Sequence, residues 1–422
     1  MALANKKIII ISILSSFTVA TVVGVTLGVV LSKKKNNDST NVEERINDIL
    51  SKHPLIDGHN DLSWLIRANF RNQIGNIDLN NMTQYTLKNT TISHTDITRL
   101  RQGKIGGQFW SIYTDCNHQG LDAIIGFLEQ IDLMNRIISK YNTVFEFAST
   151  ANDIRTAFSN KKIASLYGVE GGQAIESNLA ILRLLYKLGV RYMTLTHNCV
   201  IPWADENRVD SNSSIVNNGG LTPFGKKVIL EMNRLGMLVD LSHVSKKTML
   251  DVLDTTQSPV IFSHSSAYAL CNHTRNVQDD VLTKVKDNDG VVMVNFYSGF
   301  VTCNSSNPGT IADVVNHINH IKEKAGIKHV GIGADYDGVL ILPEGLGDVS
   351  TYPALLEALM ENGWSEDDIV SLIGGNILRV LQKNEEKAAE LQAKMSEQDD
   401  LIPRIDLEKY NLTKCRTLDM YT

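Results

Sequence analysis

Short apolar runs recur along the body of the chain. Each is followed by a polar or Gly-rich turn and then by a segment with the 3.6-residue periodicity of a helix. Eight runs predict strands over Pro54–Asp57, Gly107–Ile112, Ile163–Val169, Val190–Thr196, Met237–Leu241, Pro259–Ser263, Val291–Phe296 and His329–Ala334. The clearest helical segments between them are Leu121–Lys140, Leu179–Leu188, Thr222–Leu235 and Ala312–Ala325. Eight strand–helix units predict an α/β fold, a (β/α)8 barrel of the TIM type; a doubly wound open sheet is the alternative with a similar alternation.

Residues 8–31 differ from the body, because they read IIIISILSSFTVATVVGVTLGVVL, 24 residues without a charge. As a helix, this segment is long enough to cross about 30 Å of hydrocarbon. A cleaved signal peptide is the alternative, but its apolar core usually has about 7 to 15 residues. We therefore expect a transmembrane signal-anchor helix over residues 8–31, preceded by a short cytoplasmic tail of residues 1–7.

The remainder of the chain is expected to form one domain. Residues 32–41 read as a polar linker, and Thr40-x-x-Glu43 resembles a capping box at the start of a helix. No second linker or internal repeat follows, so the domain covers residues 42–422, including C-terminal helices and a tail. A polar, Asn-rich stretch from Asn69 to Thr98 predicts a surface excursion.

Composition narrows the function classes. Of the 422 residues, 43% are hydrophobic and 21% are charged, which is typical of a globular protein and excludes disorder, collagen and coiled coil. The formal net charge is -6, from 41 Lys+Arg against 47 Asp+Glu, with no long basic run in the body. We therefore expect no nucleic-acid partner.

Cysteines and glycosylation triplets indicate the compartment. The five cysteines, which lack CxxC spacing, could form two internal bridges and one intermolecular bridge, or be buried thiols of a cytosolic enzyme; they are Cys116, Cys199, Cys271, Cys303 and Cys415. Seven N-x-S/T triplets without a central Pro favour the exterior, and they begin at Asn37, Asn81, Asn89, Asn212, Asn272, Asn304 and Asn411. We expect a single-pass type II membrane glycoprotein with its domain extracellular or luminal, secreted if the N-terminal segment is cleaved.

Most apolar runs lead to a residue that binds metals or transfers protons. The first leads to His59 and Asp61, whose spacing puts both side chains on one side of an extended segment. Later runs lead to Glu170, His197, His243, His264 and Asp335, with Asp337 two residues further on. In a barrel, these residues would meet at the rim where such enzymes keep their active sites. Each one alone is explained as a turn, a helix cap or a structural histidine, but these explanations would have to hold at strand after strand.

The donor set predicts a hydrolase with two metal ions. Three histidines and two carboxylates are too many for one tetrahedral zinc with an open position, yet they fit two ions that share a carboxylate. Imidazole with carboxylate, and no thiolate, suits Zn²⁺. Two such ions would lower the pKa of a shared water and make hydroxide available.

Seven motifs carry a resemblance to a known family. They are IDGHND, GVEGG, LTHN, VDLSHVS, FSHSSA, CNHTRN and GADYDG, in this order between about Ile46 and Gln382. The chain resembles the membrane (renal-type) dipeptidase family of metallopeptidases. The resemblance implies a barrel with two zincs that hydrolyses free dipeptides; some members also act on cysteinyl-glycine conjugates or on a β-lactam ring.

The resemblance also implies roles for individual residues. His59 and Asp61 would bind one zinc, His243 and His264 the other, and Glu170 would bridge them. His197 would contact the substrate and stabilise the oxyanion. Arg275 would hold the substrate's terminal carboxylate, and Asp335 would take the amino group or deliver a proton to the leaving amine.

Further expectations follow from the same resemblance. It implies Cys116–Cys199 and Cys271–Cys303 bridges and a homodimer linked through Cys415, and a small-residue ladder in the anchor (Ala20, Gly24, Gly28) is compatible with helix association. Phe300 stands where similar proteins often carry Tyr, so a hydrogen bond to substrate would be missing. The N-terminal helix would replace the C-terminal lipid anchor of relatives.

Two alternatives to a dipeptidase stay open. One is a binuclear amidohydrolase acting on another amide, ester or lactam, and the other is a non-enzymatic surface receptor that retains the fold. Loss of a zinc ligand would mark a receptor, and every ligand position is filled. Arg275 favours the dipeptidase, because a guanidinium pairs bidentately with a carboxylate, unless it pairs instead with Asp279 or Asp280.

Overall fold

The computed structural model describes residues 42–88, 92–304, 306 and 308–417. By its internal contacts the chain divides after Ile49, and the unit that begins at Leu50 contains the whole sheet. Its strands are β1 (Leu55–Asn60), β2 (Ile105–Tyr113), β3 (Phe145–Phe147), β4 (Ile163–Glu170), β5 (Val190–Thr194), β6 (Leu238–Asp240), β7 (Ile261–Phe262), β8 (Val291–Val294) and β9 (Val330–Ile332).

Helices connect the strands along the chain. They are α1 (42–52), α2 (Leu62–Phe70), α3 (Ile97–Gln102), α4 (Ala123–Lys140), α5 (Ala151–Ser159), α6 (Leu179–Lys187), α7 (Pro223–Leu235), α8 (Lys246–Thr255), α9 (Asp279–Asn288), α10 (Ser298–Val301), α11 (Ile311–Ala325), α12 (Tyr352–Glu361), α13 (Glu366–Val370), α14 (Asn376–Gln392) and α15 (Arg404–Lys409). The four helices expected from periodicity are α4, α6, α7 and α11.

Eight parallel strands close into a ring. The order β2-β1-β9-β8-β7-β6-β5-β4 is completed by pairing of β2 with β4, from Gly107↔Ala164 to Tyr113↔Glu170. The predicted (β/α)8 barrel is therefore confirmed, and the open-sheet alternative is wrong. The ninth strand, β3, pairs only with the first residues of β4 and was not expected from the sequence.

The strands read as continuous apolar runs because both of their faces are covered. Side chains such as Ile56, Phe109 and Leu166 are buried in one cluster with Ile154 of α5 and Leu381 of α14. Parallel strands between a packed barrel interior and an outer layer of helices cannot alternate apolar and polar positions as half-exposed strands do.

Local sequence signals determine where helices begin and end. The Thr222 side chain accepts a hydrogen bond from Gly225 N, Pro223 opens α7, and Gly236 ends it with φ 83°, a conformation that favours glycine. Ser245 caps α8 by accepting from Thr248 N, so that this helix begins immediately after the turn that carries His243.

The surface excursion predicted over Asn69–Thr98 is wrong for its last residues, which are buried. Ser93, Thr95 and Asp96 are buried, and the Asn60 amide donates to Thr95 Oγ1 over 2.8 Å. His94 N and Ser93 Oγ donate to the Asp337 carboxylate. A polar segment can return to the rim because its groups find partners there.

Several predictions fall on residues outside the described ranges. They are the cytoplasmic tail over residues 1–7, the anchor over residues 8–31, the linker over residues 32–41 with Thr40, and the triplets at Asn37 and Asn89. Within the ranges that the structure describes, no helix combines the length and apolarity needed to cross a membrane.

The structure contains both intrachain disulfides that the resemblance implied, Cys116–Cys199 and Cys271–Cys303. Cys415 takes part in neither and is exposed. The described triplet asparagines all lie on the surface, and they are Asn81, Asn212, Asn272, Asn304 and Asn411.

Candidate metal centre and active site

Seven of the strand-end residues meet at the carboxyl-terminal rim of the barrel. His59 belongs to β1 and Asp61 follows it, whereas Glu170 is the last residue of β4. The others lie two or three residues beyond β5, β6, β7 and β9, and they are His197, His243, His264 and Asp335. His243 and Asp335 adopt positive φ values of 67° and 68°. Such backbone is uncommon for these residue types and is often found at functional sites.

Nitrogen and oxygen donors converge on Glu170. Its Oε1 lies 3.6 Å from His59 Nε2, 3.2 Å from His243 Nε2 and 3.4 Å from His264 Nε2. The Nε2 atoms of His243 and His264 are 3.0 Å apart, and His59 Nε2 is 3.4 Å from Asp61 Oδ2. Ligand atoms about 2.0–2.1 Å from one tetrahedral ion lie about 3.3 Å from each other. The observed spacing therefore fits side chains arranged around divalent cations.

Three groups of side chains are close enough to hold an ion. They are His59 with Glu170 and His264, Glu170 with His197 and His243, and His59 with Asp61 and Asp335. His264 thus lies near both His59 and His243, and His197 and Asp335 are close enough to add ligands. The geometry therefore brings together the seven residues that line the rim.

Burial sets the protonation of the histidines. It lowers the pKa of His243 and His264 well below the usual range, which favours the neutral imidazole that binds metals. Burial acts on His59 in the same direction, but the adjacent Tyr192, Glu170 and Asp61 outweigh it and raise the pKa of His59. A bound cation would reverse that preference, because its charge opposes protonation.

The pKa values of the Glu170 and Asp335 carboxyl groups are shifted in opposite directions. Burial raises the pKa of Glu170, but His59, His197 and hydrogen bonds from His243 and His264 outweigh it and hold this pKa well below the usual range. This shift favours the ionised carboxylate of Glu170, the form that binds metal ions. Burial instead raises the pKa of Asp335 well above the usual range.

Asp335 and Asp337 face different surroundings although only Tyr336 separates them in the chain. The Asn295 amide donates to Asp335 Oδ2 over 2.7 Å, and Asp335 Oδ1 is 3.9 Å from His59 Nε2. Asp337 faces Ser93 and His94 and lies outside all three candidate ligand groups among the described residues. A side chain at Gly338 would displace the Asp61 carboxylate, because its Cβ would overlap Asp61 Oδ2.

A cavity of about 630 Å³ opens above the centre. Its floor contains Asp61, Glu170, His197, His243 and Asp335, and its wall contains Arg275 and several apolar side chains. Those apolar residues include Trp64, Tyr113, Tyr297, Phe300 and Leu340. Apart from Phe300, nothing in the sequence pattern marked them, because isolated aromatic residues in loops carry no periodic signal.

Arg275 is a buried cation that lacks an ionic partner among the described residues. Its Nη1 donates to Ser265 Oγ over 3.3 Å and its Nη2 to the His264 carbonyl over 3.2 Å, while Nε is buried without an acceptor. Its Cζ lies 5.1 Å from the centre of the Phe300 ring. Burial lowers its pKa to about 10, so the guanidinium stays charged at neutral pH. Asp279 pairs with His320 and Asp280 with Lys246, so the predicted alternative of a local helix pair is wrong.

His197 lies between two rings above Glu170. Its ring centre is 4.6 Å from that of Tyr113 and 4.4 Å from that of His243. Burial lowers its pKa, and it lines the cavity, so a neutral imidazole is available to a bound molecule or to an ion.

Comparisons with known proteins agree with this geometry. The sequence profile described as membrane dipeptidase (peptidase family M19) matches residues 43–395. An uncharacterised dipeptidase of Schizosaccharomyces pombe is 43% identical over 364 residues, which cover 84% of this chain and 86% of that protein.

Solved structures have the same fold. The dipeptidase AC, a metallopeptidase of family M19, is 25% identical to this chain, with a TM-score of 0.69. The match covers 79% of this chain and 98% of that protein. A metallopeptidase from Rhodobacter sphaeroides, solved with a phosphinate mimic of the dipeptide L-Ala-D-Ala, is 24% identical with a TM-score of 0.68. It covers 79% of this chain and 99% of its own.

Proposed function

Because this chain belongs to the membrane dipeptidase family of metallopeptidases (peptidase family M19), we propose that it hydrolyses the peptide bond of free dipeptides with two zinc ions. His59 and Asp61 would hold one ion, His243 and His264 the other, and Glu170 both. Cysteinyl-glycine conjugates are the second substrate class that we propose. Family membership makes the chain a hydrolase, whereas the metal, the ligand assignment and the substrates are what this proposal adds.

The observation that carries the proposal is that one cavity contains both a donor set able to hold metal ions and a buried guanidinium without an ionic partner among the described residues. The donors fit divalent ions by their spacing of 3.0–3.6 Å and by their chemistry, which is imidazole and carboxylate without thiolate. When bound, such ions polarise a carbonyl and make water nucleophilic at neutral pH.

Arg275 would bind the carboxylate of the C-terminal residue. A buried charge is costly unless it is paired, and among the described residues Arg275 reaches only a hydroxyl and a carbonyl oxygen. A dipeptide supplies the missing anion at a fixed distance from its only peptide bond. A cyclic amide or a lactam without a carboxylate would leave the guanidinium unpaired, which favours a dipeptide over those substrates.

Two further side chains would act on the reacting atoms. His197 lines the cavity next to Glu170 and would donate a hydrogen bond to the carbonyl oxygen as negative charge develops there. Asp335, held by the Asn295 amide, would bind the free amino group or transfer a proton to the leaving amine. Phe300 offers its ring to Arg275 and has no hydroxyl to offer the substrate.

We further propose a type II membrane protein with its catalytic domain outside the cell or in the lumen, glycosylated and dimerised through Cys415. The exposed triplet asparagines and the two disulfides support the compartment, because both modifications need an exterior or luminal environment. The exposed thiol of Cys415 is accessible to a second chain.

The test is zinc content measured together with hydrolysis of a substrate panel by the full chain. The panel contains L,L- and L,D-dipeptides, a cysteinyl-glycine conjugate, dipeptide amides and a cyclic amide, with Glu170→Gln as the inactive control. We expect two zincs per chain and turnover of dipeptides only when the carboxyl end is free. Turnover of the cyclic amide without turnover of dipeptides would favour a different amidohydrolase, and two zincs without any turnover would favour a receptor.

A further inference from the structure

Asp240, the last residue of β6, has a fully buried carboxylate that accepts four hydrogen bonds. Its Oδ1 accepts from Ser263 N over 2.8 Å and from Ser242 N over 3.1 Å. Its Oδ2 accepts from the hydroxyls of Ser263 over 2.6 Å and of Thr194 over 2.5 Å. The backbone bonds align β6 with the segment after β7. The hydroxyl bonds are not needed for that alignment and require another explanation.

The Ser263 hydroxyl connects Asp240 to a proposed metal ligand. Ser263 Oγ also lies 2.7 Å from His264 Nδ1. A carboxylate only accepts hydrogen bonds, so the single hydroxyl proton of Ser263 points to Asp240. Ser263 Oγ must then accept from His264 Nδ1, which places the ring proton on Nδ1. His264 Nε2 is left with a lone pair, and this is the atom 3.4 Å from Glu170 Oε1.

The same proton count applies to His59 with different partners. Tyr192 donates its hydroxyl proton to the Gly58 carbonyl over 3.1 Å, so its oxygen accepts from His59 Nδ1 over 2.8 Å. With a cation bound, which opposes protonation of the ring, His59 Nε2 would also carry a lone pair toward Glu170, and this nitrogen has no hydrogen-bond partner among the described residues. His243 differs, because its Nδ1 is buried without a partner in the part of the chain that the structure describes.

We infer that Asp240 and Ser263 are positioning residues that hold His264 in the Nδ1-protonated tautomer with Nε2 aimed at the metal centre. The inference rests on the proposed function, since it takes His264 as a metal ligand. A hydrogen-bonded carboxylate behind a ligating histidine fixes the ring and makes the ligand more basic. Here the carboxylate acts through one hydroxyl, and for His59 a peptide carbonyl acts through Tyr192.

Two variants separate positioning from general stabilisation. Ser263→Ala removes the hydroxyl between Asp240 and His264 but keeps both backbone bonds to Asp240. Thr194→Val is the matched control, because it removes the other hydroxyl bond to the same Oδ2 and contacts no histidine through it. Loss of such a partner typically weakens metal binding about 10- to 100-fold. We expect that loss of zinc affinity for Ser263→Ala, and affinity within about threefold of the wild type for Thr194→Val.

Zinc affinity is measured by competition with a chelator, and thermal unfolding of the metal-free proteins reports stability. Equal zinc affinity in Ser263→Ala and the wild type would overturn the inference, and so would an equal loss in both variants. If the wild type binds no zinc, the proposed metal centre fails instead. Should Ser263→Ala not fold, the tautomer is measured in the metal-free wild type from the ¹⁵N imidazole signal assigned to His264. A protonated Nδ1 supports the inference, and a protonated Nε2 overturns it.

Discussion

Replacing Arg275 with Met tests whether this side chain exists for the substrate or for the fold. Of its five N–H donors, two reach neutral oxygen acceptors at 3.2 and 3.3 Å, and no carboxylate of the described residues pairs with it. A charge-assisted pair with a dipeptide carboxylate contributes about 2–3 kcal/mol. Because 1.36 kcal/mol corresponds to a factor of ten, Arg275→Met should lower kcat/KM for a dipeptide about 10²-fold.

The assay compares a dipeptide with its C-terminal amide. We expect the wild type to prefer the free acid by about the same factor, because a neutral end leaves Arg275 desolvated and unpaired. Arg275→Met should lose most of this preference, since the variant no longer discriminates between the two ends. The zinc content of Arg275→Met should stay unchanged, which distinguishes loss of carboxylate binding from loss of the metal centre.

A matched variant controls for the removal of a buried arginine. Arg234 pairs with buried Glu231 at 2.8 Å, and Arg234→Met would leave that carboxylate with Arg183, at 3.2 Å, as its remaining ion-pair partner among the described residues. We expect Arg234→Met to lower the melting temperature without changing kcat/KM. We expect Arg275→Met to lower kcat/KM without lowering the melting temperature. Equal turnover of the dipeptide and its amide by the wild type would refute binding of the substrate carboxylate by Arg275. An unaltered preference in Arg275→Met would assign recognition to another group.

Three other predictions concern the centre, the fold and the assembly. Glu170→Gln should lose both zincs and all activity, because a neutral amide is a poor bridge between two cations; metal analysis showing two tightly bound zincs would contradict this. His317 is buried with a lowered pKa, accepts from Ala267 N and donates to the Val301 carbonyl. The unfolded chain takes up its proton below about pH 6.5 and the folded chain does not, so stability should fall as pH drops below 6.5. His317→Gln should flatten that fall in melting temperature between pH 7.5 and 5, and an unchanged profile would exclude His317 as its source. Cys415→Ser should run as a monomer on a non-reducing gel where the wild type runs as a dimer; a persistent dimer band would rule out the covalent link.

The identity of the donor residues follows from a local rule, whereas the orientation of their side chains does not. The rule that strand ends meet at one rim was enough to select His59, Glu170, His243 and His264 from the sequence. It could not distinguish Asp335 from Asp337, because both follow the same predicted strand. Both residues adopt positive φ values, and Asp337 accepts from His94 N and lies outside the candidate ligand groups of the described residues.

By itself, the sequence determined the barrel and the candidate donors, because burial and strand periodicity leave a record in neighbouring residues. Only the tertiary structure decided which groups support those donors. Tyr192 reaches His59 across 133 residues of chain, and Asp240 reaches Ser263 across 23. Such contacts come from closure of the ring and from the register between strands, and they leave no periodic pattern along the chain. That Arg275 has no ionic partner among the described residues is likewise a property of the folded cavity, since Asp279 and Asp280 pair with Lys324 and Lys246 instead.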